Sequence, residues 1–168
     1  MFEKIVFETT YGYRNFIGED IQKNLLDWVN LNLDSFVFNP AGPGRKTRTI
    51  VNTDEIYTTV QDIKRKIMIL ENQNLEEIDF SFRDYIGINF PNAFIQLHTD
   101  DAKLGRIHTR WNLILSYPEE GGHSIYNGKT NQLEERLIWK CEASRFAHGS
   151  TKVKGIKPRI TLSLGFML

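Results

Sequence analysis

Apolar residues recur along the chain with two different periods, and the change of period divides it. Over residues 18–33, Ile21, Leu25, Trp28 and Val29 fall at helical spacing, with Glu19 and Asp20 suited to a first turn. Over residues 53–72, Ile56, Val60, Ile63, Ile67 and Leu70 form a second apolar stripe, with Thr53 as its candidate N-cap. Residues 2–9 read as a short strand. Residues 39–47, Asn-Pro-Ala-Gly-Pro-Gly-Arg-Lys-Thr, read as a loop on their prolines and glycines. From Phe80 onward the texture is of short β-branched and aromatic segments, at residues 84–90, 93–100, 107–117, 123–126, 133–139, 141–145 and 159–167. Residues 119–122 and Asn127-Gly128 are turn signals between some of them.

Alternation within these segments predicts which way they face. In the last one, Ile160, Leu162, Leu164 and Phe166 oppose Arg159, Thr161, Ser163 and Gly165. In 107–117, Thr109, Trp111, Leu113, Leu115 and Tyr117 oppose His108, Arg110, Asn112, Ile114 and Ser116. Farther upstream, Ile95 and Leu97 oppose Gln96, His98 and Asp100. Helices followed by a run of strands indicate an α+β chain, mainly β. Seven or eight antiparallel strands can roll into a double-sheet jelly roll, with the N-terminal helices packed on the outside of one sheet. The polar strand faces then line a cavity or meet water. The chemistry on the His98 and Arg159 strands favours the cavity; for Arg110 and Asn112 the two readings balance.

Length and composition fit this picture. A chain of 168 residues is enough for one domain with a real core, residues 1–168, whose jelly-roll part begins near residue 80. Lys plus Arg and Asp plus Glu are equal at 21 each, which argues against a nucleic-acid partner drawn by long-range charge. Cys141 stands alone, so no internal disulfide can form, and a reducing, cytoplasmic setting is expected. The N-terminus lacks the charged head and apolar run of a signal peptide, and no apolar stretch approaches the roughly 18 residues of a membrane span.

The candidate chemistry lies in His98, Asp100 and His148. His98 and Asp100 are two apart, so one strand can send both toward one point, and His148 can arrive from another strand. Two imidazoles and one carboxylate suit Fe(II) and leave positions open for a chelating co-substrate and O2. Arg159 and Thr161 follow on the last strand, where a guanidinium fork can take a carboxylate in two parallel hydrogen bonds. His108 is a possible support for the ligands and His123 could stand at the cavity mouth, although plain surface or core roles suit both better than ligation. Arg110 and Asn112 could reach co-substrate or substrate, or serve as a strand-edge ion pair and a solvated amide. Tyr85 and Tyr117 read mainly as packing, and Trp28, Trp139 and Cys141 as core. Gly42-Pro-Gly-Arg-Lys-Thr lacks the glycine directly before lysine that a phosphate-binding loop needs; it reads as a solvated loop, with a basic lid as the alternative.

His98-x-Asp100, His148 and Arg159-x-Thr161 together resemble the signature of the 2-oxoglutarate- and Fe(II)-dependent oxygenases, and residues 157–166 resemble their last core strand. The spacing is most similar to the prolyl-hydroxylase-like branch, which more often carries lysine at the place of Arg159. The resemblance implies a double-stranded β-helix (jelly-roll, cupin-like) fold. It also implies Fe(II) held by His98, Asp100 and His148, with 2-oxoglutarate chelating the metal and anchored by Arg159 with help from Thr161. The implied activity is a dioxygenase that hydroxylates a peptidyl side chain or a small metabolite, releasing succinate and CO2. A catalytically silent cupin-like binding module is the alternative on the same fold. A different metal in the same triad is a third reading, disfavoured by the extra carboxylate anchor at Arg159 and Thr161.

Overall fold

The computed structural model describes residues 2–73, 83–102 and 105–167. The expected onset of the β region at residue 80 and its end at residue 168 lie outside the described residues. The architecture is mainly β, with two helices. Eight strands form one antiparallel sheet in the order β1 (Glu3–Val6), β2 (Tyr11–Arg14), β11 (Ile138–Cys141), β7 (His108–Ser116), β14 (Arg159–Met167), β5 (Tyr85–Asn89), β4 (Arg45–Thr49) and β3 (Val37–Phe38). Four more form a second antiparallel sheet, β10 (Lys129–Asn131), β9 (Ser124–Tyr126), β12 (His148–Ser150) and β6 (Ile95–His98). The short pair β8 (Glu120–Gly121) and β13 (Val153–Lys154) stands apart.

The helices cover the large sheet, as its alternation requires. α1 (Glu19–Leu31) turns Leu25, Trp28 and Val29 inward, and α2 (Tyr57–Leu70) turns Val60, Ile63, Ile67 and Met68 inward. They share one core with Trp111, Leu113 and Leu115 of β7 and Leu162, Leu164 and Phe166 of β14. Under α2, Lys64 and Asp84 make a buried ion pair at 2.9 Å, and the backbone N–H of Gly165 donates to the same carboxylate. No helix among the described residues is long and apolar enough to cross a membrane.

Several boundaries differ from the sequence expectation. α2 begins at Tyr57 without a side-chain cap, not at Thr53. Asp54 accepts from the Val51 N–H and pairs with Arg48, which holds residues 51–54 in a turn. The 39–47 loop is shorter than its composition suggests, because Arg45 already belongs to β4. Residues 141–145 are not a strand: only Cys141 is, and the N–H groups of Arg145 and Phe146 turn back to the Glu142 carbonyl. Asn127 and Gly128 make the β9–β10 turn, both in left-handed conformation at φ 48° and 75°.

Candidate metal centre

The small sheet brings two histidines side by side. β12 pairs with β6 so that His148 lies opposite His98, with ring centroids 4.3 Å apart. The register slips between this pair and the Ser150–Ile95 pair, which places one extra residue on β6, a β-bulge. The bulge overrides the expected alternation: Ile95 and His98 both line the cavity, while Leu97 is exposed. Gly149 sits against this irregularity, since a Cβ there would approach the Ile95 carbonyl oxygen to 2.7 Å.

Asp100 follows β6 and is tied by its N–H to the Ala143 carbonyl. Its Oδ1 faces His98 Nε2 at 3.4 Å and His148 Nε2 at 3.8 Å. Its Oδ2 faces His108 Nδ1 at 3.2 Å and Arg110 Nε at 4.0 Å. The carboxylate is thus divided, one oxygen toward the two imidazoles and the other toward its supports. His98 Nδ1 lies 2.8 Å from the Gln96 carbonyl and His148 Nδ1 3.3 Å from the Phe146 carbonyl. A carbonyl only accepts, so each Nδ1 carries the proton and each Nε2 keeps its lone pair. One potential ligand atom from each of His98, Asp100 and His148 therefore lies within 4.8 Å of the others.

The electrostatics follow from these contacts. The hydrogen bond to Asp100 raises the His98 pKa above the ordinary imidazole value. Burial, reinforced by the His98 charge, lowers that of His148. Burial pushes Asp100 upward, but His98, His148, His108 and Arg110 more than offset it and hold the carboxyl below its usual range.

The large sheet forms the opposite wall. Arg159, buried at 4% exposure, reaches across the cavity and donates from Nη2 to Ser124 Oγ of β9 at 2.8 Å, while its Nε and Nη1 have no partner among the described residues. Burial pulls its pKa down to about 10. Thr161, Asn112 and Arg110 line the same cavity, so all seven residues singled out in the sequence meet in one space. Arg110 donates to the Arg83 carbonyl and stacks over the Tyr85 ring at 4.9 Å. Tyr85 is also a cavity residue: burial raises its phenol pKa, and the Arg45 and Arg110 charges more than reverse the shift. His123 does not line the cavity and lies 2.7 Å from the Tyr117 hydroxyl by its Nδ1. Arg145 pairs with Glu142.

Sequence reasoning missed Arg45 and Asn89. Arg45 was hidden by its Pro- and Gly-rich approach, and the β-branched Thr47 and Thr49, which share its strand face, were the signal that could have found it. Asn89 ends a strand whose inner face was not assigned.

No protein-family model matches the chain, and no curated protein matches it in sequence. Solved structures do resemble it. A prolyl-4-hydroxylase from Pseudomonas putida aligns with a TM-score of 0.73 at 15% identity, over 92% of this chain and 89% of that one. A viral collagen prolyl hydroxylase from Paramecium bursaria Chlorella virus-1, solved as its 2-oxoglutarate complex, aligns with a TM-score of 0.69 at 15% identity, over 99% and 96%. A prolyl hydroxylase from Trichoplax adhaerens, in complex with a hypoxia-inducible-factor peptide fragment, aligns with a TM-score of 0.70 at 13% identity, over 99% and 83%. The chain has the fold of these prolyl hydroxylases.

Proposed function

We propose that the chain is a non-haem Fe(II)- and 2-oxoglutarate-dependent dioxygenase, a hydroxylase built as one domain over residues 1–168. On this reading its two sheets roll into the double-stranded β-helix of the oxygenases. The observation that carries the proposal is the convergence of His98, Asp100 and His148 on the same cavity into which the unpaired donors of buried Arg159 point.

The donor set fits the metal. Two neutral imidazoles and a carboxylate suit Fe(II) better than a purely oxygen-ligating ion, and three protein ligands leave room for a bidentate co-substrate and O2. Bound Fe(II) would activate O2 and couple the oxidative decarboxylation of 2-oxoglutarate, to succinate and CO2, to oxidation of a substrate C–H bond. The chain's own residues have simpler tasks. The Gln96 and Phe146 carbonyls fix the ring orientation and tautomer of His98 and His148. His108 and Arg110 hold the second oxygen of Asp100, leaving the first for the ion. Arg159 neutralises the distal carboxylate of 2-oxoglutarate, with the Thr161 hydroxyl beside it. Buried Trp139 and half-buried Ile95 in the cavity wall limit the access of water.

The prime substrate is a peptidyl side chain or a small metabolite; the likeness to a peptide-bound hydroxylase supports the first. The chain acts in a reducing, cytoplasmic setting, with Cys141 as a buried thiol whose pKa burial raises. The test is uncoupled turnover. Succinate release from 2-oxoglutarate with Fe(II) and O2 is expected from the wild type and not from His98→Ala. Equal release by both proteins would remove the proposed iron site.

A further inference from the structure

The cavity holds more cationic donor capacity than one carboxylate anchor needs. Register places Arg45 of β4 opposite Asn89 of β5, and Asn89 opposite Arg159 of β14. The three side chains therefore form a row across three neighbouring strands, on the face that lines the cavity. All three are more than nine-tenths buried, at 7%, 3% and 4% exposure. Each carries a buried donor without an acceptor among the described residues: Arg45 Nε, Asn89 Nδ2, and Arg159 Nε and Nη1. No carboxylate lies within 4.0 Å of either guanidinium among the described residues. The acid in the cavity lining, Asp100, is engaged by histidines and Arg110.

The arm of Arg45 is also aimed. Asn39 Oδ1 accepts from its Nη1 at 3.0 Å, and the Tyr85 hydroxyl lies 3.5 Å from Nη2. The guanidinium extends over Gly87, where an added Cβ would stand 3.3 Å from Nη2. Thr161 is the cross-strand partner of Gly87. Arg45 thus reaches along the sheet from the row of Arg159 to the row of Thr161, the two residues assigned to the distal carboxylate. The charge of Arg45 also disfavours the charged form of Arg159. Two guanidinium groups on one buried row of the cavity wall, each with an unfilled donor, suit a group that is anionic and only accepts.

We propose that Arg45 and Asn89 complete a three-residue cradle with Arg159 for the distal carboxylate of the keto-acid co-substrate. The proposal rests on the dioxygenase reading above. Arg45 approaches the carboxylate from β4, Arg159 approaches from β14, and the Asn89 amide donates between them. The absent side chain of Gly87 leaves the space in which the Arg45 arm lies. A cradle with two guanidinium arms selects a dicarboxylic keto-acid over a monocarboxylic one, which offers it nothing to hold.

The experiment is calorimetric titration of the Mn(II)-loaded full chain with 2-oxoglutarate and with pyruvate, which has the same chelating end and no distal carboxylate. The wild type is expected to prefer 2-oxoglutarate. Arg45→Met and Asn89→Leu should each weaken 2-oxoglutarate by about tenfold or more, as loss of a charge-assisted or buried hydrogen bond does. Both should leave Mn(II) and pyruvate affinities unchanged. Wild-type affinity for 2-oxoglutarate in Arg45→Met, alongside a loss in Arg159→Met, overturns the cradle and leaves the dioxygenase reading standing. A wild-type chain that takes up neither Mn(II) nor 2-oxoglutarate overturns the parent reading instead. Should Arg45→Met fail to fold, Arg45→Lys carries the same comparison: it keeps the charge and loses the planar fork, so a weakened 2-oxoglutarate supports the cradle and an unchanged one overturns it.

Discussion

The two faces of the large sheet share one backbone and do opposite things to stability. On β7 and β14, Trp111, Leu113, Leu162, Leu164 and Phe166 close against the helices, while Arg110, Asn112, Arg159, Thr161 and Ser163 line the cavity. Each large apolar side chain buried on the first face stabilises the fold by about 1.5–3 kcal/mol. The second face works against it. Burial brings the Arg159 pKa down to about 10, which corresponds to a cost of about 3 kcal/mol at neutral pH. The unfolded chain holds that proton to a higher pH than the folded one. The penalty is therefore full below about pH 10 and fades as the folded group loses its proton above it. A face shaped for a ligand is kept folded by the face shaped for none.

Substitutions can break this contrast. Trp111→Ala, at the closed face, should lower stability by about 3–5 kcal/mol in urea denaturation; a loss below about 1 kcal/mol would mean that this face does not carry the fold. Arg159→Met should act in the reverse direction, stabilising the ligand-free chain by about 3 kcal/mol at most and so raising its melting temperature, as a buried cation without a carboxylate partner among the described residues gives way to an apolar side chain. It should abolish 2-oxoglutarate binding at the same time, and a fall in melting temperature would refute the assigned cost. Mn(II) at a hundred times its dissociation constant should add about 2.7 kcal/mol to the wild type and nothing to Asp100→Asn. That gain should shrink between pH 7.5 and 5.5, because both imidazoles must be neutral to ligate and the Asp100 contact holds the His98 proton more tightly. Equal metal stabilisation at the two pH values would exclude histidine ligation. His108→Phe should weaken Mn(II) by about 10- to 100-fold through the freed oxygen of Asp100. Phe38→Ser, on the edge strand β3 and 77% exposed, should change stability by no more than about 0.5 kcal/mol.

How much of this was legible in the sequence follows the range of the forces involved. The alternation of β14 and the stripe of α1 are set by nearest neighbours and burial, and both elements form where the pattern puts them. His98 and Asp100 were legible as a pair, because a spacing of two residues is a local relation, although Asp100 lies just past the end of β6. Arg45 was not, since its value comes from lying beside Asn89, 44 positions along the chain, through a pairing that no local pattern encodes. The bounds of β12, expected only as another strand bringing His148, were not legible for a related reason: His148-Gly-Ser has little strand propensity of its own and is held extended by β6 and β9 on either side. Residues 141–145 went the other way, an apparent strand bent into a turn that delivers the Ala143 carbonyl to the Asp100 N–H.

The extra residue in β6 has a consequence for how such a centre can change. Because strand side chains alternate, adding or deleting one position between Ile95 and His98 would swing the His98 imidazole from the interior to bulk solvent and carry Asp100 out of line. Insertions in that strand are therefore closed to descendants of this chain that keep a metal. New substrates would have to be reached by altering the walls and rim around a frame whose length is locked.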